Sequence, residues 1–212
     1  MVQRGKELIS MEKELAIKVI RALNEAGIGR EPCSSELYPI AEKLGAKLHS
    51  GATRWAFVFV KHQLVVKFPK YDETDEDYCE IEMNNYNRAK EYRIEKCLLP
   101  VEYAGTTENS IPVYIQPMYT TSLDRLEYAV QQKWQEKAKK IHRSPIVGKV
   151  RSGCHYAPNQ LWLERAIQIY GKRFMKSFQA WSHDCKVNDL HSSNVGFLRK
   201  QPIIIDYAGY HG

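Results

Sequence analysis

The sequence predicts an α+β protein in which a sheet-forming half precedes a helical half. Residues 46–117 hold short runs rich in valine, phenylalanine and tryptophan, which is typical of strands. Residues 118–212 hold long stretches with apolar residues at helical spacing. Strands and helices grouped in separate parts of the chain are typical of this class. A length of 212 residues suits one domain or two small lobes.

Two helices are expected before the sheet, within residues 1–45. Apolar residues recur at helical spacing over 7–26, and Gly27 is the expected stop. A shorter helix is expected over 35–44, although Pro39 is unfavourable inside a helix. We therefore expect residues 1–45 to form a helical extension.

Five antiparallel strands and one inserted helix are expected next. The first three strands are short apolar runs separated by turn-forming residues: 47–50, 55–61 and 63–69. An acidic stretch then leads into a helix over about 77–93. Residues 97–105 and 111–118 predict two more strands, joined by the turn-like segment Thr-Thr-Glu-Asn-Ser.

The second half is predicted to be mainly helical. A helix is expected over 122–140 and a longer one over 159–182, with a basic loop at 141–158 between them. The chain then continues into a loop and two short strands.

Composition excludes several classes of protein. No apolar run approaches the roughly 18 residues of a membrane-spanning helix. The N-terminus lacks the apolar core of a secretory signal, and the five scattered cysteines form no C-x-x-C pair. We therefore expect a cytoplasmic protein with reduced thiols and no membrane partner. The positive residues behind the net charge of +6 are too scattered for a dedicated nucleic-acid binder. The sequence leaves the oligomeric state open.

The residues with the clearest chemical signal lie in two segments near the C-terminus. Asp189 and Asn194 are five residues apart in the segment Asp-Leu-His-Ser-Ser-Asn. Asp206 follows a run of three isoleucines. Phosphoryl transfer uses one carboxylate to orient the attacking hydroxyl, and an amide with a second carboxylate to hold Mg²⁺. These residue types, in two neighbouring segments, predict that chemistry.

Together, D-L-H-S-S-N and I-I-I-D-Y-A-G resemble the catalytic and metal-binding segments of the protein-kinase-like superfamily. The first segment is similar to that of aminoglycoside and choline phosphotransferases and of small phage-encoded protein kinases. The resemblance implies a two-lobed fold, with a five-stranded N-lobe over 46–117 and a minimal, C-terminally truncated helical C-lobe over 118–212. It also implies that Asp189 is catalytic and that Asn194 and Asp206 bind Mg²⁺.

The same resemblance requires a phosphate-binding hairpin and a lysine on a following strand. The hairpin contains Gly51, so the nucleotide phosphates are expected at Gly51, Ala52 and Thr53. Lys67, in the run Leu-Val-Val-Lys-Phe, is placed like the phosphate-binding lysine of the family.

A glutamate from the next helix is expected to pair with that lysine. Glu82 is the first choice and Glu80 the alternative, because only one of two residues two apart on a helix faces inward. The adenine of ATP is expected to meet the end of the fifth strand, at Gln116 and Met118.

The resemblance implies an ATP- and Mg²⁺-dependent phosphotransferase that acts on a protein Ser/Thr or on a small-molecule hydroxyl. Two alternatives stay open. The first is a pseudoenzyme that binds a nucleotide or a partner without turnover. It is suggested by Val187, which stands where these families usually have histidine, and by the absence of the helices of a substrate platform after Gly209. The second is transfer of AMP, because the hairpin has one glycine instead of three.

Overall fold

The computed structural model describes residues 2–71, 76–118, 160–190, 194–198 and 201–209. The helix expected at 122–140 and the loop expected at 141–158 lie outside them. The predicted class is confirmed: the protein is α+β and contains a five-stranded antiparallel sheet. Within these ranges, none of the helices is both long and apolar enough to cross a membrane.

The chain divides into two compact units, each described by itself. The first comprises Met1–Met83 and Pro100–Met118. The second comprises Asn84–Leu99 and Tyr119–Gly212. Helix α3 (Tyr78–Glu91) contributes its start to the first unit and its remainder to the second.

The first unit contains the sheet. Its strands are β1 (Lys47–Ser50), β2 (Arg54–Phe59), β3 (Leu64–Pro69), β4 (Glu102–Thr106) and β5 (Pro112–Pro117). They lie in the order β1-β2-β3-β5-β4, and every neighbouring pair is antiparallel. Along β2, the buried side chains of Trp55, Phe57 and Phe59 alternate with less buried ones, as expected for a strand with one core face.

Two of the predicted strands differ from the structure by two or more residues at one end. The second ends at Phe59, because a 3-10 turn over Val60–His62 leads to Gln63 in the left-handed region (φ 51°). The strand expected from 97 begins only at Glu102. Cys97 instead lies in a 3-10 turn (Glu95–Cys97) that belongs to the second unit.

Helices α1 (Val2–Glu25) and α2 (Ser34–Lys43), which form within residues 1–45, pack against the sheet. Their apolar side chains share one core with the strands. That core includes Leu15, Val19, Leu23, Leu37, Ile40, Phe57, Val66, Phe68, Val113 and Ile115. Residues 1–45 are therefore a structural layer of the first unit.

The second unit packs a long helix against a hairpin. The helix is α4 (Gln160–Asp184), and the hairpin pairs β6 (Val195–Leu198) with β7 (Gln201–Ile204). The buried indole of Trp162 donates hydrogen bonds of 3.1 Å to the carbonyls of Gly196 and Ile203. This side chain therefore ties the helix to both strands.

Helix α4 is not the continuous helix that the sequence predicts. Gly171 has non-helical backbone angles (φ 86°, ψ 166°), which glycine adopts easily and other residues do not. Among the apolar residues of α4, Leu163 and Phe174 are buried, and Ile167, Ile169 and Tyr170 are half-buried.

Candidate functional site

Lys67 and Glu82 form an ion pair in the first unit. The Nζ of Lys67, on β3, lies 2.9 Å from the Oε2 of Glu82, on α3. The side chain of Glu82 is fully buried, and that of Lys67 is 12% exposed. Glu80 is exposed. The structure therefore brings Glu82, the first choice of the two glutamates, to Lys67.

Arg54 is a second cation at this carboxylate, and the sequence pattern did not single it out. Its Nη1 lies 3.1 Å from the same Oε2 of Glu82. In the sheet register, Lys67 lies opposite Ala56, which follows Arg54 by two residues. Arg54 and Lys67 therefore project from the same face of the sheet. This relation depends on the register between β2 and β3, which the sequence alone does not give.

Glu82 binds both cations through one oxygen. Its other oxygen, Oε1, is buried and has no hydrogen-bond partner among the described residues. A buried carboxylate is costly unless it is paired, so Lys67 and Arg54 offset the cost of burying Glu82. Burial raises the pKa of the neighbouring Cys79 thiol, and the two cations only partly oppose that effect.

The start of helix α3 is fixed by Asp77. Its Oδ1 accepts hydrogen bonds from the backbone N–H groups of Cys79 (2.9 Å) and Glu80 (3.0 Å), as a helix N-cap does. Its Oδ2 accepts a hydrogen bond of 2.7 Å from the hydroxyl of Tyr114 on β5. Burial raises the pKa of Tyr114, and the bond to Asp77 adds to this, so the hydroxyl stays protonated as a donor. Because Tyr114 lies opposite Lys67 in the sheet, the cap anchors α3 near that lysine.

Glu82→Gln is expected to destabilise the first unit by about 3 kcal/mol, because it leaves two largely buried cations without a carboxylate. That value is at the low end for a broken buried pair, since both cations keep some contact with water. The matched variant Glu80→Gln alters an exposed residue of the same helix and is expected to change stability by less than about 0.5 kcal/mol. Urea unfolding of both variants measures the difference. Equal stabilities would show that the ion pair does not form.

The expected phosphate hairpin lies between β1 and β2. The N–H of Gly51 donates a hydrogen bond of 2.9 Å to the carbonyl of Arg54 and closes the turn, and the carbonyl of Thr53 accepts one of 2.9 Å from the N–H of Lys70. Gly51 and Ala52 are exposed, and Thr53 is half-buried. The tip is therefore open to solvent.

The expected adenine contacts lie at the end of β5. Gln116 is buried, at 2% exposure, and pairs with Val65 in the sheet. The N–H of Met118 donates a hydrogen bond of 2.7 Å to the carbonyl of Gln63. The backbone N–H of Met118 is therefore already paired within the first unit.

In the second unit, the structure brings Asp189, Asn194 and Asp206 together. The side-chain amide nitrogen of Asn194 donates a hydrogen bond of 2.9 Å to the backbone carbonyl of Asp189 and a longer one, 3.4 Å, to its Oδ2. The backbone carbonyl of Asn194 accepts hydrogen bonds from the N–H groups of Ile205 (2.8 Å) and Asp206 (3.5 Å). The catalytic and metal-binding segments expected from the sequence are therefore neighbours.

Asn194 and Asp206 are the residues of this group that could hold a magnesium ion. Both contacts to Asp189 use the amide nitrogen of Asn194, so its amide oxygen is the atom suited to a metal. Carboxylate and amide oxygens are the hard ligands that Mg²⁺ prefers, and it is often held by one or two carboxylates plus substrate phosphates. Among the described residues, no group of three or more His, Cys, Asp or Glu side chains could hold a metal by itself.

Val187 is buried at the start of this loop. Its N–H donates a hydrogen bond of 2.8 Å to the carbonyl of Ser182, and its carbonyl accepts one of 2.8 Å from the hydroxyl of Ser182. The loop is thus tied to the end of α4 through the backbone at position 187.

The segment after Asp206 passes close to the same loop. Gly209 has a φ of +87°, and a Cβ built at this position would lie 2.4 Å from the backbone carbonyl oxygen of Lys186. This approach is possible only without a side chain.

Gly209→Ala is expected to destabilise the second unit more than Gly171→Ala. Both glycines have nearly the same positive φ, and alanine there costs about 1–3 kcal/mol. A Cβ at Gly171 meets nothing within 4 Å, whereas at Gly209 it collides with the backbone of Lys186. We expect the collision to add about 1–3 kcal/mol, measured by chemical unfolding of the two variants. Equal losses would show that Gly209 does not approach Lys186.

Comparisons with protein-family models, with curated proteins and with solved structures found nothing that matches this chain. The assignment of a function therefore depends on the two groups of residues described above: Lys67 with Glu82 and Arg54 in the first unit, and Asp189 with Asn194 and Asp206 in the second.

Proposed function

We propose that the protein is an ATP- and Mg²⁺-dependent phosphotransferase that transfers a phosphoryl group to a hydroxyl of a protein Ser/Thr or of a small molecule. The observation that carries the proposal is the Lys67–Glu82 ion pair, with 2.9 Å between Nζ and Oε2. A lysine held by a buried carboxylate has a fixed direction, which a phosphate-binding cation needs.

In this proposal, Lys67 contacts the nucleotide phosphates and Glu82 sets its orientation. Phosphoryl transfer involves little covalent chemistry for the protein, so its contributions are positioning and the stabilisation of developing charge. Gly51 and Ala52 at the tip are exposed, which is compatible with a nearby phosphate.

The group in the second unit would supply the metal ligands and the acceptor-binding carboxylate. Asn194 and Asp206 would hold Mg²⁺, which neutralises charge on the transferring phosphate. Asp189 would accept the hydrogen bond of the attacking hydroxyl and receive its proton. The hydrogen bonds from Asn194 to Asp189 link the metal ligand to the carboxylate.

The direct test is transfer of label from ATP. The wild type, Lys67→Met and Lys61→Met are each incubated with γ-³²P-ATP, Mg²⁺ and either a cell lysate or a panel of small hydroxyl compounds. Lys61 is an exposed lysine of the same unit and serves as the matched control. We expect labelled product with the wild type and Lys61→Met, and at least a 100-fold lower rate with Lys67→Met, equivalent to about 3 kcal/mol. Equal rates for all three would contradict the role of Lys67, and absence of transfer by the wild type would contradict turnover.

Nucleotide binding without turnover is the second candidate, and the buried Val187 favours it because the resemblance implies a histidine at this position. It predicts Mg²⁺-dependent nucleotide binding with no labelled product. A parallel reaction with α-³²P-ATP separates phosphoryl transfer from AMP transfer, since only AMP transfer leaves the α-label on the acceptor.

A further inference from the structure

Asn85 is a buried polar residue with no role in the chemistry described so far. It lies on α3 within the second unit and is 5% exposed. Its side-chain amide donates a hydrogen bond of 2.9 Å to the backbone carbonyl of Tyr207, the residue after Asp206. Its backbone carbonyl accepts a hydrogen bond of 3.0 Å from the indole of Trp181. A buried amide is costly unless such bonds are made, so these partners account for its burial.

The backbone around Asp206 is held on both sides. Before it, the N–H groups of Ile205 and Asp206 donate to the carbonyl of Asn194. After it, the carbonyl of Tyr207 accepts from Asn85, and the buried Tyr207 hydroxyl donates to the carbonyl of Leu99. The hydrogen bond from Asn85 therefore restrains the peptide group that follows Tyr207, the residue next to Asp206.

We infer that Asn85 is a positioning residue that sets the direction of the Asp206 carboxylate. Without its donor, the carbonyl of Tyr207 loses a buried partner, and the backbone after Asp206 can rotate to find another. A ligand whose supporting hydrogen bond is lost typically costs a metal site about 10–100-fold in affinity. The inference rests on the proposed function, because it takes Asp206 to be a ligand of Mg²⁺.

The test compares Asn85→Leu with a matched variant, Tyr170→Phe. Leucine has nearly the shape of asparagine but cannot donate. Tyr170 also donates a hydrogen bond of 2.9 Å to a backbone carbonyl, that of Pro202, at the opposite end of β7 from Asp206. The readout is the Mg²⁺ concentration that gives half-maximal binding of ATP, measured by equilibrium dialysis, alongside the thermal midpoint of each protein.

We expect Asn85→Leu to raise the half-maximal Mg²⁺ concentration by about 10–100-fold and Tyr170→Phe to leave it within about twofold of the wild type. A purely structural role would lower the thermal midpoint of Asn85→Leu without changing its Mg²⁺ requirement, and that result would overturn the inference. If Asn85→Leu does not fold, Asn85→Ser, which is too short to reach the Tyr207 carbonyl, is measured in the same way. A wild type that binds ATP without any dependence on Mg²⁺ would contradict the proposed metal site itself, which separates that failure from a failure of the inference.

Discussion

Replacing Asp206 by alanine is expected to remove the Mg²⁺-dependent part of nucleotide binding. The carboxylate is the only negatively charged ligand in the proposed metal pair, because its partner Asn194 is a neutral amide. Its loss leaves the ion held by an amide oxygen and the phosphates alone. We expect the affinity for ATP in the presence of Mg²⁺ to fall by about 100-fold or more, equivalent to about 3 kcal/mol. Equilibrium dialysis with labelled ATP over a series of Mg²⁺ concentrations measures this change.

Asp184→Ala is the control for this variant. Asp184 is also a carboxylate of the second unit, but it is exposed and its carboxylate forms hydrogen bonds with Tyr92 and His183. We expect its removal to leave ATP binding unchanged. If Asp206→Ala binds Mg²⁺ and ATP as well as the control does, Asp206 is not a metal ligand.

Replacing Asp189 by asparagine is expected to abolish turnover and to spare binding. The shorter hydrogen bond from Asn194 ends on the backbone carbonyl of Asp189, so the loop keeps its main closure in the variant. The variant loses the carboxylate that would receive the proton of the acceptor. We expect the rate of label transfer at saturating ATP to fall by about 10²–10⁴-fold, while the affinity for ATP changes by less than about threefold.

The two aspartate variants have different expected effects, so comparing them separates a role in binding from a role in turnover. Asp206→Ala is expected to affect binding and turnover together, whereas Asp189→Asn is expected to affect turnover alone. If Asp189→Asn transfers label at the same rate as the wild type, another group accepts the proton. A large loss of affinity in Asp189→Asn would instead show that the carboxylate binds the metal or the nucleotide.

The five-stranded sheet was predictable because short runs rich in valine, phenylalanine and tryptophan are separated by turn-forming residues. Trp55, Phe57 and Phe59 occupy every second position of β2, which is the pattern that identifies a strand with one core face. The segment before β4 was assigned wrongly for a physical reason. Leu98 and Leu99 form an apolar run, but they are buried through pairing with Ile204, which is far away in the chain. An apolar run does not reveal its partner.

Local sequence also failed to show the break in α4. Apolar residues keep helical spacing on both sides of Gly171, and a single glycine inside such a pattern is often tolerated. The backbone angles at Gly171 depend on how the two parts of the helix pack, which periodicity does not describe.

Part of the candidate site could be predicted and part could not. Lys67 and its acidic partner follow from the order of the motifs, but the choice between Glu80 and Glu82 depends on the rotation of α3 about its axis. The cap at Asp77 fixes that rotation. Asn85 carries no sequence signal, because a polar residue on a helix normally faces solvent.

Binding of ATP by the wild type tests most directly whether this protein binds a nucleotide together with Mg²⁺. Isothermal titration with a non-hydrolysable ATP analogue is performed with Mg²⁺ and with EDTA, and AMP is titrated under the same conditions. The proposal predicts one saturable site per chain, tighter with Mg²⁺ than with EDTA, and tighter for the triphosphate than for AMP. Absence of binding under both conditions, or equal binding of AMP and the triphosphate regardless of Mg²⁺, would contradict it.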